Sequence, residues 1–341
     1  FGRLVANDFS AAIVAGELQE INPNTGERLD YIDVAGQLEQ IRQKYSNEEV
    51  GVEFDYHIIG FAKVIGDIAS GATRVVLFFV VAFFITAVFV YVYSQSIKLT
   101  IIPLACSLIA VIWQLGMLTL LGFGIDPMSI LVPFLVFAIG VSHGVQMVSA
   151  HRAEVYDGAD PEAAARMSFR KLMVPGTIAL LSDTIGFITI MLIEIRMIQE
   201  MAITASLGVA AIILTNLILV PVLLSYVRLD ESYLLRLKER HQHLDPIWSR
   251  LASVTERRNA AIIIAVALAL FVVGGWKATQ IKIGDLHRGV PELRADSQYN
   301  IDTDLITTHF AIGVDSISVI VEGVPQACTE YKYMTLSLIH I

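Results

Sequence analysis

The sequence predicts a polytopic α-helical membrane protein carrying partial α/β domains outside the bilayer. Composition gives the first indication. Of 341 residues, 55% are hydrophobic and 17% charged, whereas a soluble chain carries about a quarter charged residues. The apolar runs give the second. A bilayer-spanning helix needs about 20 apolar residues. Six segments reach or approach that length: Val75–Tyr93, Leu99–Phe123, Pro127–Ala150, Leu172–Ile193, Met201–Val227 and Asn259–Trp276. Within them, only Asp183 and His143 have side chains that take a charge near neutral pH. A large buried helical core does not account for six such runs in succession.

Several function classes fall away on the same evidence. The net charge of -9 lies outside the apolar runs and argues against a nucleic-acid partner. The two cysteines, Cys106 and Cys328, are too few and too far apart for a disulfide framework or a zinc cluster. Cys106 lies in an apolar run and reads as a small hydrophobe. No phosphate loop, His-Glu-x-x-His pair or paired-cysteine motif occurs, so no metal, no cofactor and no enzymatic activity are expected. Ser182, Asp183 and His143 lack the signature of an activated serine with an oxyanion hole.

Lys and Arg distribution sets the orientation. One group of loops holds Lys98, then Arg152, Arg166, Arg170 and Lys171, then Arg228, Arg236, Lys238, Arg240, Arg250, Arg257 and Arg258. The opposite loops, Gly124–Asp126 and Glu194–Glu200, hold only Arg196. The first group is therefore expected in the cytoplasm. That puts residues 1–73 and the tail beyond Lys277 on the outer, periplasmic side of a bacterial inner membrane.

The outer segments read as mixed α/β pieces. Asp8–Val14, Val50–Phe54, Thr279–Leu286 and Val314–Val321 are predicted strands. Val34–Lys44 has the spacing of an amphipathic helix, and Ile58–Ile68 a second one feeding the first span. Ser297 is positioned to cap a helix reaching His309. The polar stretch Asp230–Arg258 is helix-prone and is expected along the cytoplasmic surface. Both chain ends read as cut, and the residues from Met334 do not continue the strand pattern before them.

This plan of outer domain, five close spans, basic linker, one span and second outer domain resembles the resistance-nodulation-division (RND) superfamily. The likeness is to the branch holding the mycobacterial membrane large proteins (MMPL-type) and the Patched-like sterol-sensing proteins. It rests on IGVSHGVQMV (Ile139–Val148), VPGTIALLSDTIGF (Val174–Phe187) and ITASLGVAAIILTNLILVPVLL (Ile203–Leu224). By that comparison the chain carries spans two to seven of an RND-type helix bundle. The domains would be a porter-like piece at 1–73, a five-helix bundle at 74–228, a linker helix at 229–258, a span at 259–277 and a second porter-like piece at 278–341. The resemblance implies export of hydrophobic or lipid cargo driven by protons, with membrane lipids, a homo-oligomer and periplasmic or outer-membrane proteins as partners. It also implies an aspartate in the fourth span, soon after a glycine. Here Gly140-Val141-Ser142-His143 departs from the pattern, with Ser142 where that aspartate would stand. The proton carrier has then moved, or another ion is used, or pumping is lost.

Asp183 is the candidate for a moved carrier. A carboxylate in mid-span costs about 2.5–3.5 kcal/mol on insertion scales, which favours a use in proton or ion handling. The bland alternative is a protonated acid bonded to a neighbouring helix. His143 is its candidate partner in a proton relay. With the fourth span entering the cytoplasm near His151, His143 lies about 12 Å deep and Asp183 about 15 Å, at 1.5 Å per residue. His143 also fits a plain interhelical hydrogen bond. Ser142, Gln146 and Ser149 form a polar stripe, serving either as a supporting polar path or as glue between helices. Gly140 and Gly144 make a Gly-x-x-x-Gly pair that suits close helix packing, while Gln114 and Asn216 read as packing contacts.

Overall fold

A computed structural model describes residues 4–310 apart from 7, 20, 23–25, 47–54, 127, 283 and 285–288, with the side chains of 46, 72–73 and 240–244 left out. Ten α-helices run through the described residues: α1 Tyr31–Ser46, α2 Phe61–Ser94, α3 Ile97–Leu120, α4 Val132–Tyr156, α5 Pro161–Ile190, α6 Arg196–Ile212, α7 Val220–Leu224, α8 Glu231–Ala252, α9 Arg257–Ala278 and α10 Gln298–His309. A π-helical segment, Ile213–Leu219, joins α6 to α7. Six of the resulting helices are long and apolar enough to cross a membrane: Phe61–Ser94, Ile97–Leu120, Ser129–Tyr156, Pro161–Ile190, Arg196–Leu224 and Arg257–Ala278. Each contains most of one of the six apolar runs.

The chain divides into two compact units. One takes the described residues within Phe1–Gly66 and Asp285–Ile341, and the other runs from Asp67 to Gly284. In the larger unit α3, α4, α5, α6 and the π segment pack on one another. Their shared core includes Leu104, Val111, Val136, Met147, Val209 and Leu217. α2 joins through aromatic edges, with Phe79 and Phe83 set against Phe137 at 5.4 and 5.5 Å between centroids. Prolines mark helix starts and interiors as their missing N–H dictates. Pro133 lies in the first turn of α4, while Pro103 and Pro175 lie inside α3 and α5. The π turns stand just before Pro221, and a widened register absorbs the break that proline makes in the ladder. α9 packs on the turn Ser253–Thr255 and buries none of its residues.

The smaller unit is tied by Asp302, which is fully buried. Its carboxylate accepts from Gln298 Nε2 at 2.7 Å and Ile58 N–H at 3.1 Å, and meets His57 Nδ1 at 2.8 Å. Beside it, Ala6, Ile306 and Phe310 form a small apolar cluster with Ile13 and Ile59. Residues before α2 and after α9 thus share one core.

The strands expected in the outer segments are not found among the described residues, where only the isolated bridges Val5↔Ala12 and Ile21↔Arg28 occur. Asp8–Val14 turns instead of extending. Asp8 Oδ1 accepts from Ser10 N–H and Oγ, and Phe9 takes a positive φ of 61°. Residues 279–282 leave α9 through a turn, which replaces the start of the strand expected at Thr279–Leu286. Val50–Phe54, Val314–Val321, Cys328 and the residues from Met334 lie outside the described residues. The helix expected at Ile58–Ile68 is no separate element, because α2 begins at Phe61 and continues unbroken to Ser94. The helices expected at Val34–Lys44 and after Ser297 are present as α1 and α10. Ser297 accepts from Asn300 N–H at 3.3 Å, as a cap should.

Candidate functional site

Two groups of polar residues lie within the spanning helices, and the structure separates them. The first comprises the residues singled out from the sequence. Asp183 lies on α5 with Ser182 and Gly186 on a face that the described helices leave uncovered, while Leu180 turns into the core. Ser142 and Gln146 are likewise uncovered on α4. His143 is half-buried, and its Nδ1 meets the carbonyl of Ile139 one turn back at 3.0 Å. Among the described residues no hydrogen bond or ion pair joins His143 to Asp183. Ser149 accepts from the Tyr93 hydroxyl at 2.7 Å.

The second group is interior. Thr100, Ser107 and Gln114 recur every seven residues along α3, all buried. That interval is two turns, about 10.5 Å of rise, so the three share one face. At the middle level Ser107 Oγ reaches both the Pro103 carbonyl, at 2.7 Å, and Asn216 Oδ1, at 3.3 Å. Asn216 Nδ2 donates to Thr215 Oγ1 at 3.0 Å. Both residues belong to the π segment and are fully buried. α4 meets this level with Gly140 and Gly144. A Cβ on Gly140 would lie 2.8 Å from Ser107 Oγ, and one on Gly144 would lie 2.7 Å from Pro103 Cβ and 3.0 Å from Asn216 Oδ1. Only glycine lets α4 lie this close to α3 and the π segment.

The levels on either side are less complete. Toward one end, Gln114 Nε2 donates to the Thr204 carbonyl at 3.2 Å, while its buried Oε1 has no partner among the described residues. Toward the other, Thr100 Oγ1 meets Ser94 Oγ at 2.8 Å and Tyr233 donates to the Ser94 carbonyl at 2.6 Å. Burial raises the pKa of the Tyr233 phenol above its ordinary value, against the opposing pull of Arg152. Beyond Gly144 on the same face of α4 lies His151, fully buried, with neither ring nitrogen bonded among the described residues.

Of this interior group, sequence reasoning named Gln114, Asn216, Gly140 and Gly144 as packing residues and missed Thr100, Ser107 and Thr215. It used His151 only as the mark where the fourth span enters the cytoplasm, and did not foresee that the residue is fully buried within α4, which runs on to Tyr156. The seven-residue recurrence on α3 was the available signal. Which way that face turned was not legible.

A multi-pass bundle of apolar helices with polar groups at mid-depth is the architecture of a membrane transport or lipid-handling protein. A model of the MMPL family matches residues 33–262, from α1 into the start of α9, and the chain belongs to that family. The family is one of RND-type transporters and lipid-related membrane proteins. No curated protein matches the chain.

Proposed function

We propose that the protein is a secondary active RND-type exporter of hydrophobic or amphipathic cargo, lipid included, driven by the proton-motive force across a bacterial inner membrane. Family membership supports the class. The observation that carries proton coupling is Asp183, a carboxylate midway along α5 in a chain whose α4 has serine where the family pattern has aspartate. Asp183 binds the proton, and His143 on the adjacent α4 relays it once its ring releases the Ile139 carbonyl. Ser142 and Gln146 hold the polar path beside them. The cargo undergoes no covalent change. Membrane lipids, other copies of the chain and periplasmic or outer-membrane proteins are its partners.

In the full-length protein, Asp183→Asn should abolish transport in proton-loaded proteoliposomes while membrane insertion stays intact. His143→Ala should be about as severe, and the double variant little worse, because residues that act as a unit are non-additive. Wild-type transport by Asp183→Asn would remove the relay. Ser142 specifically favours a second reading, a lipid-binding or lipid-sensing scaffold that keeps the fold without pumping, and that reading would then stand.

A further inference from the structure

The buried polar groups of α3, α4 and the π segment have no role in the relay just described, and their arrangement is not that of simple glue. Packing contacts are normally completed, because a buried polar atom without a partner costs about 1–3 kcal/mol. Here the middle level is closed, with Ser107, Thr215 and Asn216 bonded together under the two glycines. The flanking levels each keep buried atoms without partners among the described residues, Gln114 Oε1 on one side and both nitrogens of His151 on the other. Gly140 opposes Ser107 and Gly144 opposes Pro103, so α3 and α4 run antiparallel. Gln114 and His151 therefore lie on opposite sides of the glycine level, each about two helical turns from it. Thr100 falls between that level and His151.

We infer that this interior column is a second proton path, closed at the glycine level, and that His151 is its proton-binding group. The inference rests on the proton-driven reading above. Of the column's side chains only imidazole exchanges a proton near neutral pH, while the hydroxyls and amides, set about two turns apart along α3, would hold the water that carries one between levels. Opening requires only a small slide of α4 against Asn216, and the π turns of the facing helix supply a place for the register to change. Charged and titratable groups at the His151 end are Arg152 and Glu154 on α4, Tyr93 on α2, Lys98 on α3, Lys171 on α5, and Tyr233 with Arg236 on α8. Their described bonds run elsewhere. Arg152 donates to the Tyr93 carbonyl at 3.0 Å, Lys171 pairs with Glu154 at 3.6 Å, and Tyr233 donates to Ser94. The imidazole is therefore left for a proton arriving through the column.

The test uses the full-length protein in two measurements. In proteoliposomes of phosphatidylethanolamine and phosphatidylglycerol under an imposed pH gradient, an internal pH dye reads proton entry. His151→Gln should reduce that entry at least tenfold with Asp183 untouched, and Asn216→Leu should do the same. In nanodiscs, carbonyl-labelled Ala with 15N-labelled His identifies His151 by nuclear magnetic resonance, since Ala150–His151 is the sole Ala-His pair in the sequence. Its ring should change protonation state within the range from about pH 4 to 8. Wild-type proton entry with His151→Gln unaffected overturns the column and leaves the proposed function standing. No proton entry in the wild type overturns the proton-driven function, and the ring then decides the column by itself. A ring held in one neutral tautomer over that range overturns it, even if His151→Gln fails to fold.

Discussion

The uncovered face of α4 and α5 and the interior of the α3–α4–π contact are built from similar residue types with opposite consequences. On the face, Ser142, Gln146 and Asp183 project where no described helix meets them. In the interior, Ser107, Gln114 and Asn216 are sealed from every side. A residue on the face is free to change chemistry without disturbing the fold, so its value is read in transport alone. A residue in the interior fixes how closely the helices approach, so stability and mechanism are carried by the same atoms.

Paired substitutions break or sharpen this contrast. The largest effect is expected at the glycines. Gly144→Ile would drive a branched side chain into Pro103 and Asn216, costing about 3 kcal/mol or more and removing most folded protein from detergent extracts. Ser142→Leu, on the uncovered face of the same helix, should stay within about 0.5 kcal/mol. Equal losses for the two, measured by thermal unfolding in detergent, would mean the face is covered after all.

Asn216→Leu comes next. It removes the bonds to Ser107 and Thr215 and should cost about 1–2 kcal/mol, whereas Gln146→Leu should cost almost nothing. Gln114→Met should be milder still, because the one bond it gives up, to the Thr204 carbonyl, is offset by deleting a buried oxygen without a partner among the described residues, and the side-chain volume is kept. Stability should change by less than about 1 kcal/mol while proton entry falls severalfold. Unchanged proton entry would make Gln114 a packing residue and shorten the column.

The smallest effect belongs to the smaller unit and sets a floor for the others. Burial pushes the Glu39 carboxyl up, but its bond to Arg42 and the Lys63 ammonium 3.4 Å away outweigh that and leave its pKa below the ordinary value. A depressed acid stabilises the fold above the unfolded-state pKa and loses that contribution as pH falls through the folded value. Hydrogen exchange in α1 should therefore quicken below about pH 4.5, and Glu39→Gln should flatten that limb by less than about 1 kcal/mol. A larger change would mark this ion pair as more than a surface contact.

The spanning helices were legible in advance because apolar length is a property of the chain itself. Helix ends were less so. His151 follows Ala150 at the edge of an apolar run and is followed by Arg152, which reads as an exit into water. α4 continues past it because helical hydrogen bonding is indifferent to the bilayer boundary and the neighbouring helices are long enough to enclose it. The strand expected at Asp8–Val14 gives way to a turn, because Asp8 accepts from Ser10 locally and so competes with extended pairing.

Sequence by itself determined that this chain crosses a membrane, how many candidate spans it offers, and which family it resembles. Those follow from composition, run length and motif, all of which are local. The tertiary structure alone decided that Thr100, Ser107 and Gln114 face inward, that Gly140 and Gly144 close on Asn216, and that the His143 ring bonds its own helix at Ile139. Inside a bilayer an apolar side chain suits lipid and protein equally, so hydrophobicity no longer tells which face of a helix is buried. Only the packing of one helix against another does.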